Sequence, residues 1–368
     1  MINKKEKRVI VVKKMRLIAL IIALAMAAFM LSACGESGTS SSPSPSAGDS
    51  GSAAPSPAEE TFILRIGTGT GGRHHQNIWM EAYKEALESA SGGRIEVQLY
   101  PAGQLGTMIE LVQGIVDGSI DSGCFPVTYF SIISPELACI DIAYTFKDSA
   151  QMWRTLHNNN TLYQQEFEKS GVTVGAWLRN ADRQLISTSL VTTIDDFNGK
   201  LLWSIPSRVI QEEINLLGGV PSGLDTGEVA PAIQNGTIDG SVQDISLYAS
   251  QSLHNAGAKY LLNAPTGALI SVYAVSDAWL NRLPADLQAM VVEVARQAVV
   301  DVQYPYFEEY SAGSLETMTS EGLEIIEPSA QLLADMKAAL APQADWFIGQ
   351  YPNAAPIYEE LLQFAAND

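Results

Sequence analysis

A twelve-residue stretch occurs twice in the chain, as ELVQGIVDGSID over Glu110–Asp121 and as EVAPAIQNGTID over Glu228–Asp239. Glu110 and Glu228, Ile115 and Ile233, Gly118 and Gly236, Ile120 and Ile238, and Asp121 and Asp239 stand at identical spacing. Each copy reads as the end of an amphipathic helix, a glycine stop and a new strand opening on Ile-Asp. A strand-like run precedes each, Gly93–Pro101 and Gly199–Pro206, so a strand–helix–glycine–strand unit is repeated. The spacing is too long for a solenoid of 20–50-residue repeats. Two similar α/β lobes facing one cleft are expected, the alternative being chance likeness between two common patterns.

The start of the chain belongs to neither lobe. Seven basic residues between Lys4 and Arg16 precede 15 apolar ones, Leu17 to Leu31. As a helix that run spans about 22 Å, short of a ~30 Å hydrocarbon core, which reads as an export signal. Met15 as the start would give a signal of ordinary length. Residues 1–33 are read as the signal, and Ser32-Ala33-Cys34 resembles the lipobox of bacterial lipoproteins, which makes Cys34 the lipidated first residue of the mature protein. Residues 34–60 are mostly Ser, Gly, Pro and Ala, a composition that builds no core and reads as a tether. Within it Gly48–Gly51 (GDSG) mimics a serine-protease fragment without the partners such a nucleophile needs.

The chain carries a net charge of −19. Residues 1–33 hold seven basic groups and one acidic, so the remainder stands at −25. Such acidity argues against nucleic acid as a partner. Cys124 and Cys139 are the other cysteines, and spacing alone does not pair them. Gly67–Gly72 (GTGTGG) has the form of a dinucleotide fingerprint between a strand (Phe62–Gly67) and a helix (Gln76–Ala90), but no acid follows at the required place. A loop lining a cleft is expected there, and no cofactor. His74 and His75 are adjacent and chelate poorly; His157 and His254 stand alone, so no metal site is expected. No nucleophile–base pair is visible, and Glu212-Glu213 reads as a solvated helix face, so a hydrolase is the weakest reading. Strands are expected over Val172–Leu178 and Ser271–Ser276, and a long helix from Pro284 that Pro305 should kink or break and Gly313 weaken.

An ordered set of motifs resembles the solute-binding proteins of tripartite ATP-independent periplasmic (TRAP) transporters. It comprises Gly93–Gly106, Gly118–Asp121, Ser134–Glu136, Asn180–Gln184, Asp196–Gly199, Leu217-Gly218, Gly236–Gly240 and Leu283–Gln288. The resemblance implies an α/β, two-lobe fold with a central cleft and a long helix touching both lobes. Lobe 1 would take 61–180 and about 269–310, and lobe 2 would take 181–268 and about 311–368. It also implies closure over a small organic acid, delivery to a membrane permease, and an extracytoplasmic site, here lipid-anchored through Cys34. Presentation of the ligand to a sensor is the alternative.

Members of that family hold a ligand carboxylate on two arginines. The resemblance matches the first to Arg183 and places Trp203 or Ser204 where the second would stand, with Arg208 just beyond. Gln243 stands for a ligand-holding asparagine. A monocarboxylate on Arg183 with an apolar or aromatic body against Trp203 is therefore expected. His75, Thr226, Phe125 and Tyr129 complete the expected ligand-binding set, while for Trp177 and Tyr273 core packing is at least as good a reading.

Overall fold

The computed structural model describes residues 60–159 and 161–368. The export signal, Cys34 and the tether up to residue 59 lie outside the described residues. In chain order, β1 (Phe62–Gly67), α1 (His75–Ala90), β2 (Ile95–Tyr100), α2 (Met108–Asp117) and β3 (Ser122–Pro126) come first. Helices α3 (Ser149–Asn158) and α4 (Leu162–Lys169) lead to a long strand, β4 (Val172–Ser187). Then come β5 (Leu201–Trp203), α5 (Arg208–Leu216), β6 (Val220–Ser222), α6 (Val229–Gln234), β7 (Gly240–Gln243) and α7 (Ile245–Ser250). A second long strand, β8 (Tyr260–Ser276), precedes α8 (Ala285–Ala298), α9 (Tyr304–Ser320) and β9 (Glu324–Ile326). Helices α10 (Ala330–Leu340), α11 (Gln343–Gln350) and α12 (Ala355–Asn367) end the chain.

The strands form one sheet in the order β2-β1-β3-β8-β4-β7-β5-β6, with β9 beside β8. That order is symmetric about its centre. β1 pairs in parallel with β2 and β3, and β5 pairs in parallel with β6 and β7. Each half is thus a β–α–β–α–β unit with its first strand in the middle. The antiparallel pair β4 and β8 runs through both halves and joins them. The counterpart of β2 is therefore β6, whereas Leu201–Trp203, expected to match β2, matches β1. Apolar runs after a glycine look alike in sequence; their place in the parallel sheet separates them.

The repeated residues have repeated jobs. Glu110 closes a capping box with Thr107, and Glu228 closes one with Asp225. Gly118 and Gly236 turn the chain in the left-handed region, at φ 82° and 74°. Asp121 accepts the backbone N–H of Arg65 in β1 at 3.1 Å, and Asp239 accepts that of Leu201 in β5 at 2.8 Å. Each aspartate thereby pins the incoming strand to the middle one.

Helix α8 lies on α1: Trp79 Nε1 donates to Ala295 O (3.2 Å) and Tyr83 Oη to Val291 O (2.9 Å). Pro305 does not break the helix that follows. It occupies the first turn of α9, and a π-turn over Val299–Gln303 absorbs the mismatch. Gly313 lies within α9 without interrupting it. The C-terminal helices reach both halves, with Gln343 Nε2 donating to Val209 O of α5 and Gln151 Nε2 of α3 donating to Ala365 O. Among the described residues no helix is long and apolar enough to cross a membrane.

Candidate functional site

The glycine-rich loop after β1, the middle of β4, the C-terminal ends of β5 and β7, and the turn before α6 converge on one cleft. Its inner cavity, about 110 Å³, is lined by Gly69, Thr70, His74 and Gln76 from one half and by Trp203, Thr226, Gln243 and Asp244 from the other. An outer cavity of about 570 Å³ shares Gly69, Met108, Tyr129, Trp203 and Thr226 with it and opens past Ser204. Tyr129 Oη and Thr226 Oγ1 meet across the cleft at 3.3 Å.

Trp203 is 1% exposed, and its indole N–H donates to Leu224 O at 2.8 Å. With that donor satisfied, the ring offers the cavity an apolar surface. At the floor, Gln76 Nε2 donates to Ser271 Oγ (2.7 Å) and Ser271 Oγ to Asn180 Oδ1 (2.9 Å). Asn180 Nδ2 in turn donates to Asp244 Oδ2 at 3.2 Å. Asp244 also accepts the N–H groups of Ser246 and Leu247 at the start of α7. Burial raises its carboxyl, opposed by those bonds. Gln243 Oε1 accepts from Asp244 N at 3.2 Å, which fixes its amide.

The histidine at the cleft is His74, not His75. His74 sits at the N-cap of α1, with Nδ1 accepting from Gln76 N, and burial lowers its ring to about 4, so it is neutral at pH 7. His75 is fully buried: Gln303 of the π-turn binds its Nδ1 at 3.0 Å while also donating to Arg179 O at 2.8 Å. It ties α1 to β4 and α9 and lines neither cavity. Phe125 is likewise a core residue, 0% exposed, away from both cavities. Trp177 and Tyr273 are core as well. Cys124 and Cys139 are buried free thiols.

Residues 66–350 match the family described as bacterial extracellular solute-binding protein, family 7 (DctP). The chain belongs to this family. It is 25% identical over 266 residues to the C4-dicarboxylate-binding periplasmic protein DctP of Rhodobacter capsulatus, covering 72% of this chain and 79% of that one. The fold is also that of solved TRAP periplasmic solute-binding proteins. One from Roseobacter denitrificans, with bound β-D-glucuronate, gives a TM-score of 0.77 at 20% identity over 82% of this chain and 99% of that one. Another from Haemophilus influenzae, with bound L-gulonate, gives 0.77 at 22% identity over 83% and 100%. The protein is thus an extracytoplasmic solute-binding protein rather than an enzyme.

The expected carboxylate contact turns on where the arginines lie. Arg183 lines neither cavity. Its Nη2 donates to Glu213 Oε2 at 2.5 Å and to Asp141 O at 3.0 Å, with Arg183 0% and Glu213 1% exposed. Glu213 also accepts from Thr266 Oγ1 at 2.6 Å. Glu213 is therefore no part of a solvated face: it is the buried partner of β4's arginine. Arg208, at the first turn of α5, is exposed and lines neither cavity. Among the described residues, no Lys or Arg lines the inner or the outer cavity.

Of the expected ligand set, Trp203, Gln243, Thr226 and Tyr129 line the inner cavity and Ser204 the outer one. Sequence reasoning missed Gln76, Asn180, Asp244 and Met108 as lining residues. Asn180 lay within a motif already singled out. The others carried no signal beyond standing next to loops of the cleft.

Proposed function

We propose that this protein is the receptor of a TRAP transporter that takes one small organic solute into the Trp203 cleft and hands it to a membrane permease. The observation that carries the reading is the lining of the inner cavity by both halves around the face of Trp203. A cleft lined from two lobes encloses a ligand when the lobes close. The expectation of a body stacked on Trp203 is supported by the engaged indole N–H. Its other half, a monocarboxylate on Arg183, requires that arginine to leave Glu213. The neutral polar groups facing the space, from Thr70, Gln76, Thr226 and Gln243, suit hydroxyl and amide functions.

Lipidation of Cys34 at the cell membrane belongs to the same proposal, supported by Ser32-Ala33 before it. Labelling cells with palmitate tests it: label should appear on the protein and vanish in Cys34→Ala. The cleft is tested by a thermal-shift screen of sugar acids, dicarboxylates, aromatic acids and uncharged polyols. A solute at 100 times its Kd should add about 2.7 kcal/mol. The reading expects a saturable shift that Trp203→Ala abolishes; a solute that stabilises both proteins equally would refute it.

A further inference from the structure

The cleft has an unusual charge inventory for a receptor expected to hold an acid. Its walls carry Asp244 within and Glu110 and Asp225 at the outer cavity, with no Lys or Arg among the described lining residues. His74, the basic side chain there, is buried and neutral. The arginine that β4 directs inward is held by Glu213 and by the carbonyl of Asp141. Glu213 is fixed from its other oxygen by Thr266. The guanidinium also packs on Gly267 of β8, where a Cβ would come within 2.8 Å of Nη2 and 3.0 Å of Cζ. This is a seat built for one arrangement of the pair.

A carboxylate drawn to Arg183 would meet a cation that the buried Glu213 already neutralises. Beside it stands a second buried acid, Asp141, held by Ser207 (2.8 Å) and Thr128 (3.1 Å). A third negative group would then share one arginine. Arg183 Nε and Nη1 are buried without a partner among the described residues. Arg183 lines neither cavity, so a solute against Trp203 meets neutral polar and acidic side chains, which suit hydroxyl and amide groups better than a carboxylate.

Resting on the reading of the Trp203 cleft as the solute site, we infer that Glu213 is a resident counter-ion that neutralises Arg183, so that this receptor selects a solute with no free carboxylate. Its recognised groups are hydroxyl or amide, on a body with one apolar face.

The test compares matched acid and amide pairs by titration calorimetry on the processed protein extracted in mild detergent. The pairs are D-glucuronate with D-glucuronamide and phenylacetate with phenylacetamide. Wild type should bind neither acid more tightly than its amide. Glu213→Gln, which frees Arg183, should move the acid-to-amide affinity ratio at least tenfold toward the acid. Should that variant fail to fold, Thr266→Val loosens Glu213 and should move the ratio the same way, by threefold or more. An acid that binds wild type tenfold more tightly than its amide, or a ratio unmoved in the variants, overturns the inference while leaving the cleft reading intact. No binding of any pair member to any of the proteins counts against the cleft reading, and the inference falls with it.

Discussion

Removing the Glu213 carboxylate should be among the most damaging single changes in the protein. In Glu213→Ala the guanidinium of Arg183, 0% exposed, keeps only the carbonyl of Asp141. The hydroxyl of Thr266 loses its acceptor at the same stroke. Breaking a buried pair by deleting one partner costs about 3–5 kcal/mol, because the remaining charge is uncompensated. At about 2–4 °C per kcal/mol, the melting temperature should fall by roughly 6–20 °C. The double variant Arg183→Met/Glu213→Leu removes both charges and should recover most of the loss, since apolar replacement of a buried pair is often neutral or stabilising. Urea denaturation of wild type, single and double variants decides the matter. A single variant that loses less than about 1 kcal/mol, or a double variant no more stable than the single, would refute the description of a seated, mutually dependent pair.

Further outcomes follow from other positions. His74 has a folded value of about 4 against an ordinary 6.5, so the unfolded chain binds the extra proton. Its contribution is present above pH 6.5 and is lost as pH falls through 4, about 3 kcal/mol in all. His74→Asn keeps a capping side chain and should remove that acid-side slope in urea titrations run from pH 7 to pH 4. Asp141 works in the opposite sense: burial pushes its carboxyl up to about 6 from 3.8, so its contribution is full below pH 3.8 and lost as pH rises through 6. A Cβ at Gly240 would lie 2.2 Å from Ile186 O, where β7 crosses β4, so Gly240→Ala should cost roughly 3 kcal/mol or more by denaturation. Gly313→Ala, in open space within α9, should instead gain about 0.5–1 kcal/mol. Cys124 and Cys139 are buried with their thiols pushed up, so an aromatic disulfide reagent should find both only after denaturation.

The parts of this fold that were legible in the sequence are those where one local rule decides. β1 and α1 follow from alternation and amphipathic spacing, and the repeat marks two equivalent caps, glycines and aspartates. The long strands β4 and β8 were read too short. β4 shifts register between Val174 and Ala176, between Arg179 and Asp182, and between Arg183 and Leu185. Those bulges, with the polar run from Arg179 to Gln184, disguise one strand as a strand and a loop. Side-chain direction was the other gap. Adjacent residues such as Glu212 and Glu213 differ by about 100° around a helix, and only packing decides which one turns inward. Phe125 sits in β3, whose first four residues are all buried, so alternation offers no inner and outer face to choose between. Arg183 was found by motif, but its counter-ion comes from α5, thirty residues on, and no local pattern joins them.

The most direct measurement is a crystal structure of the protein with whichever solute stabilises it in the thermal-shift screen. The account predicts the solute against the face of Trp203, between Tyr129 and Gln243, with Arg183 still on Glu213. A solute bound elsewhere, such as the groove between Leu162 and Pro356, would contradict the assignment of the site. A carboxylate seated on Arg183 with Glu213 displaced would leave the cleft in place and contradict the counter-ion.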